Sequence, residues 1–143
     1  MMTQLRIADM MKAYAEDAVD FADQMDVKLD FSEASLKDLD SILQKFHGEL
    51  PRGWRKIFNK GPSEEQIAYM AKMWGGYLGE VVVRHLGGEW KASEIVEDTI
   101  ALQIGEEELY PPSRAYRRIM NGAEDSVEDY YKIQKLRQDS HNM

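Results

Sequence analysis

Apolar residues recur at steps of three and four from the start of the chain. Ile7, Met10, Met11, Tyr14, Ala18, Phe21, Ala22 and Met25 fall on one stripe of a helix predicted over residues 3–25. Glu16, Asp17, Asp20 and Asp23 lie mostly off that stripe, which predicts an acidic outer surface with few local cations to neutralise it. After an extended stretch at 27–31, a second helix is expected to start near Ser32–Ser35 and to run to about His47. Leu36, Leu39, Ile42, Leu43 and Phe46 form its apolar side. Ser32 or Ser35 is placed to cap it, and Ser35 with Asp38 has the spacing of a weaker capping box. Pro51, Gly53, Gly61 and Pro62 mark a loop over 48–62, and Trp54, Ile57 and Phe58 within it predict that it packs back.

Ser63-Glu64-Glu65-Gln66 has the spacing and residue types of a capping box. It opens a helix predicted over 64–86, with Ile67, Met70, Trp74, Tyr77, Leu78, Val81, Val82 and His85 in period and Gly87-Gly88 at its end. Gly75, Gly76 and Gly79 sit inside it, each costing about 1 kcal/mol relative to alanine. The expected return is that Gly76 and Gly79, on one face, let another backbone come close. The period then changes to two. Strands are predicted at 89–92, 99–104 and 107–110, with Ile100, Leu102, Ile104 and Trp90 on one buried side. Connections this short allow only antiparallel pairing. Pro111-Pro112-Ser113 opens a further helix carrying Ala115, Tyr116, Ile119 and Met120, which Asn121-Gly122 stops. A last helix is predicted from Ala123, with Val127, Tyr130, Tyr131 and Leu136, and 138–143 reads as a frayed tail. The class is α+β: a mostly helical single domain spanning 1–143, with a small antiparallel sheet between the third helix and two C-terminal helices.

The 143 residues match the size of one domain, and such a chain buries roughly 70% of its unfolded surface. The absence of cysteine excludes disulfides and thiolate zinc sites. It suits a reducing compartment, and a cytoplasmic location is expected. Asp9, Lys12, Glu16 and Asp17 interrupt any signal-peptide-like run, and no stretch approaches the ~20 apolar residues of a membrane span. Eighteen basic against 26 acidic residues leave a net charge of -8, which repels phosphate backbones and suits a basic protein partner.

The residues offer little chemistry. His47, His85 and His141 have no ligand-like spacing, no Gly-x-Ser-x-Gly elbow is present, and Trp74-Gly75-Gly76-Tyr77-Leu78-Gly79 lies mid-helix, where bonded amides cannot cradle phosphate. Asp26, Asp30, Glu33, Asp38 and Asp40 are acidic but lack the central glycine of a calcium loop. No metal or cofactor is expected. Arg52, Arg55, Lys56 and Lys60 make a basic patch around Trp54, suited to an acidic partner or, more simply, to the chain's own acidic helix. Glu80 and Arg84 stand four apart with the acid first, the favourable order for a helix pair.

Leu29-Asp30-Phe31-Ser32 with Ser35-Leu36 and Leu39-Asp40, the Gly75–Glu80 run, Gly87-Gly88-Glu89-Trp90, Pro112 and Asn121–Ser126 together resemble the signature of a family of small bacterial proteins of uncharacterised function. The resemblance covers roughly residues 27–131. It implies a non-enzymatic α+β domain, and some similar acidic proteins act as immunity proteins beside secreted toxins. Ser35, Asp40, Tyr77, Glu80, Trp90 and Ser126 carry over as motif positions whose residue types suggest fold maintenance. The expectation is therefore a protein-binding domain, with Asp17, Asp20, Asp23, Glu80 and Arg84 as candidate contacts and a basic partner such as a toxin. Glu80 as a general base and self-association are the alternatives. Oligomeric state is not set by the sequence.

Overall fold

The computed structural model describes residues 3–51 and 61–141. Helix α1 (Gln4–Gln24) begins where the Thr3 hydroxyl accepts the Arg6 N–H at 3.3 Å. It buries Ile7, Met11, Ala15, Ala18 and Ala22, leaving Phe21 exposed. The short alanines on this stripe allow a close helix crossing. Helix α2 (Ser35–Glu49) buries Leu36, Leu39, Ile42 and Leu43 as expected. Its start differs from expectation: Ser35 makes no cap. The Ser35 hydroxyl donates to the Ser32 carbonyl at 2.6 Å and meets the Tyr77 hydroxyl at 2.6 Å, so it is not free for Asp38. Ser32 does accept the Ser35 N–H, at 3.1 Å.

Helix α3 (Glu64–Leu86) is the centre of the molecule. Both bonds of the Ser63–Gln66 capping box form, at 2.8 and 3.1 Å. From Met73 to Val82 every residue is buried, so the helix is enclosed on all sides. Its glycines serve three different neighbours. A Cβ on Gly75 would lie 2.3 Å from the Pro112 Cα, one on Gly76 would lie 3.1 Å from the Met11 carbonyl oxygen, and one on Gly79 would lie 2.1 Å from the Trp90 ring. Gly79 thus admits a side chain, where a second backbone was expected. Gly75, to which the spacing assigned no neighbour, is the tightest approach between backbones.

The sheet is antiparallel in the order β1 (Glu89–Ala92), β2 (Ile100–Ile104), β3 (Glu107–Leu109), with Trp90 opposite Leu102 and Leu102 opposite Leu109. Helix α4 (Pro111–Asn121) follows with both prolines in its first turn. It buries Ala115 and Ile119, but Tyr116 and Met120 are exposed and Arg118 is buried instead. A 3-10 turn (Ala123–Asp125) precedes α5 (Val127–His141), so the last helix starts later than predicted. It also runs to His141, past the frayed tail expected from residue 138. Leu136 is exposed. The expected in-packing of Trp54, Ile57 and Phe58, and the basic patch around them, lie outside the described residues. The fold is the predicted mostly helical α+β domain. No described helix is long and apolar enough to cross a membrane.

Candidate functional site

The residues singled out from the sequence separate into an outer and an inner set. Asp17, Asp20 and Asp23 all lie on the exposed side of α1. Two are already engaged. The Asp17 carboxylate accepts the Tyr69 hydroxyl at 3.0 Å, and Asp23 pairs with Lys28. That lysine is a local cation where few were expected, and the pair is wet enough to be weak. The Lys28 ammonium titrates above its ordinary value, first because of its hydrogen bond to Asp23.

Glu80 and Arg84 part company. Glu80 is 2% exposed, and its carboxylate accepts the Trp90 indole N–H at 2.9 Å. Arg84 is exposed and lays its guanidinium 3.6 Å above the Phe31 ring. The predicted helix pair is not among the ion pairs of the described residues. Its physical replacement is a cation–π contact for Arg84 and, for Glu80, the buried indole N–H of Trp90.

The motif positions are built into the fold. Phe31, held at φ 64°, donates its N–H to the Tyr77 hydroxyl at 2.8 Å and stacks on that ring with centroids 4.8 Å apart. Since Ser35 uses its proton on Ser32, Tyr77 donates to Ser35 in turn. Burial pushes the Tyr77 phenol up, keeping it a donor. Asp40 is the widest hub. Its carboxylate takes the Arg118 Nε–H at 3.0 Å, the Ser126 hydroxyl at 2.7 Å, and the backbone N–H groups of Val127 and Glu128 at 2.9 and 3.0 Å. A residue of α2 therefore caps α5, which the one-dimensional capping pattern could not show.

Two further features went unread in the sequence. The first is a groove of about 660 Å³ between α1, the C-terminal end of α2, the start of α3 and α4. Phe21, Phe46, Leu50, Tyr69, Met70 and Ile119 give it apolar walls, and Glu49 and Glu65 also line it. Phe21 and Phe46 make edge contacts with each other at 6.1 Å and cover Trp74, at 5.6 and 6.2 Å. Trp74 is fully buried, and among the described residues its indole N–H has no hydrogen-bond partner. Periodicity assigned Phe21, Phe46 and Met70 to the core, and only the ends of three helices arriving together make them walls of an opening.

The second feature is the β1–β2 hairpin. The Glu108 carboxylate accepts the Ser93 hydroxyl at 2.5 Å, the Glu94 N–H at 2.8 Å and the Tyr110 hydroxyl at 2.9 Å. The Ser93 oxygen accepts the N–H groups of Ile95 and Val96 at 3.0 and 2.8 Å. The loop is thereby ordered, yet it leaves Ile95 75% exposed. The Ser93 bond, followed by the Glu94 N–H, pulls the Glu108 carboxyl down to about 2.

Among the described residues no group of three or more histidines or carboxylates is arranged to hold a metal ion. A smaller cavity of about 310 Å³ is lined by Met10, Met11, Tyr14, Lys72, Ile100 and Tyr110, among others, and neither opening is lined by Glu80. Comparison with protein-family models, with curated proteins and with solved structures gives no match.

Proposed function

We propose that this chain is a protein-binding domain that recruits a basic partner through its acidic surface. The observation that carries the reading is the division of the candidate residues: Asp17, Asp20 and Asp23 stand in solvent along α1, while Glu80 is enclosed and bonded to Trp90. An excess of exposed carboxylates steers cationic partners and speeds their association, an effect that salt weakens. The net charge of -8 supports the same direction. The narrower form of the reading, drawn from the family resemblance, is an immunity protein that covers the basic surface of a toxin.

The test compares the natural protein with the Asp17→Lys, Asp20→Lys, Asp23→Lys triple variant as bait in lysate, at low and high salt. A basic protein held by the natural chain at low salt, and lost both at high salt and in the variant, is the expected result. Capture that ignores all three reversals would sink the acidic-surface reading. For the immunity form, co-expression with the captured partner should relieve that partner's toxicity.

A further inference from the structure

We propose that the apolar groove between α1, α2, α3 and α4 is a docking site for an amphipathic, lysine- or arginine-bearing segment of a partner protein. This inference rests on the basic-partner reading and gives it a location. Three observations carry it. The walls are large and apolar, and two of them face solvent: Phe21 is 37% exposed and Tyr69 46%. An aromatic cluster with Trp74 beneath supports them, which makes a firm floor for an inserted side chain. Among the described residues the charged side chains at the rim are acidic. Glu49 and Glu65 line the opening, Asp17 is bonded to the Tyr69 wall, and no lysine or arginine among the described residues lines it.

An apolar floor with carboxylates around it matches a helix or strand that presents a bulky apolar residue flanked by cations, the groove mode of recognition. The same charges argue against a second copy of this chain as occupant, because its acidic rim would meet another. They argue equally against an anionic peptide or lipid headgroup.

The probe is a synthetic helical peptide of leucine and lysine with one apolar face. Leucine–glutamine and leucine–glutamate peptides of the same pattern serve as controls. The protein carries 13C-methyl methionine, so that Met70 reports the groove while Met10 and Met11 report the separate smaller cavity. The expected result is a saturable shift of the Met70 methyl with the lysine peptide, weaker with glutamine and absent with glutamate. The Glu49→Lys, Glu65→Lys double variant changes only exposed side chains and should weaken binding about tenfold.

Binding of the lysine peptide with Met70 unmoved overturns the groove but leaves the acidic-surface reading standing. Equal binding of all three peptides overturns the charge argument. A Met70 shift that follows protein concentration without peptide assigns the groove to a second copy. Binding seen only after Arg52, Arg55, Lys56 and Lys60 are replaced shows the chain's own cations competing. Either of these last two results also overturns the proposal.

Discussion

Asp40 shows how much one side chain can hold. It is 16% exposed, faces an Arg118 side chain that is 5% exposed, and takes hydrogen bonds from both α4 and the first turn of α5. Removing it takes the only carboxylate paired with Arg118 among the described residues, leaves that buried guanidinium with the Gln44 side chain and the Asp40 carbonyl alone, and strips two helix-end amides and the Ser126 hydroxyl of their acceptor. Asp40→Ala should therefore cost about 3–5 kcal/mol in urea unfolding, the range for breaking a buried pair from one side. Glu80 is the contrasting case. Glu80→Gln keeps an acceptor for the Trp90 indole and should change stability by less than about 1 kcal/mol. Trp90→Phe leaves the carboxylate enclosed without its donor and should cost distinctly more. An equal loss in both would show that the charge of Glu80, not its acceptor, is what the interior needs. At this scale the sequence was readable by type but not by partner. Glu80, Trp90, Asp40 and Ser126 stood out as motif positions, yet the bonds joining Asp40 to Ser126 span 86 residues, and no local spacing reports such a contact.

Among the elements, α3 was the most legible because its signals are local. The capping box and the closing glycine pair both appear where the pattern placed them. What its glycines touch was less legible, since propensity counts only their cost within the helix. The structure reverses the sign of that expectation at Gly75. Alanine there would gain about 1 kcal/mol of helix propensity. Its Cβ would also fall 2.3 Å from the Pro112 Cα and 2.9 Å from the Pro111 carbonyl carbon, which are backbone atoms that cannot rotate away. Gly75→Ala should lower the melting temperature, with a net loss of at least 1–3 kcal/mol. Gly76→Ala, with its nearest contacts at 3.1 Å, should be milder. A Gly75→Ala protein that melts higher than the natural one would refute the packing account. The groove was illegible for a related reason. Phe21, Phe46 and Met70 carry the period of buried residues. Phe46 and Met70 do pack partly buried against the core while Phe21 is exposed, and that all three also wall an opening depends on how the ends of α1 and α2 meet the start of α3.

For the whole molecule, the perturbed groups define a pH window. Glu108 is pulled down to about 2, and Glu33 is lowered first by its bond from Tyr131 and then by that from Lys135. The unfolded chain therefore takes up protons before the folded one. Stability from these carboxylates is fully present above their ordinary range and is lost as the pH falls through the folded values. At the other end burial pushes the phenols of Tyr77, Tyr130 and Tyr131 up, so the unfolded chain loses those protons first. Their contribution is lost as the pH rises past the ordinary tyrosine value, toward the folded ones. Urea midpoints measured across pH should form a plateau that falls on both sides. The acid limb should move to higher pH in Ser93→Ala, which removes the leading cause of the Glu108 depression. An acid limb unmoved in that variant would detach Glu108 from the effect.

The reach of Asp40 also imposes an order on synthesis at the ribosome. When α2 emerges, the groups that complete it, from Arg118 to Glu128, have yet to be translated. The Gly75 face of α3 likewise waits for Pro111 and Pro112. A nascent chain that has delivered α1, α2, α3 and the sheet thus carries an unpaired carboxylate and an uncovered central helix. Closure of the interior is held back until the last quarter of the chain, from Pro111 on, has left the tunnel.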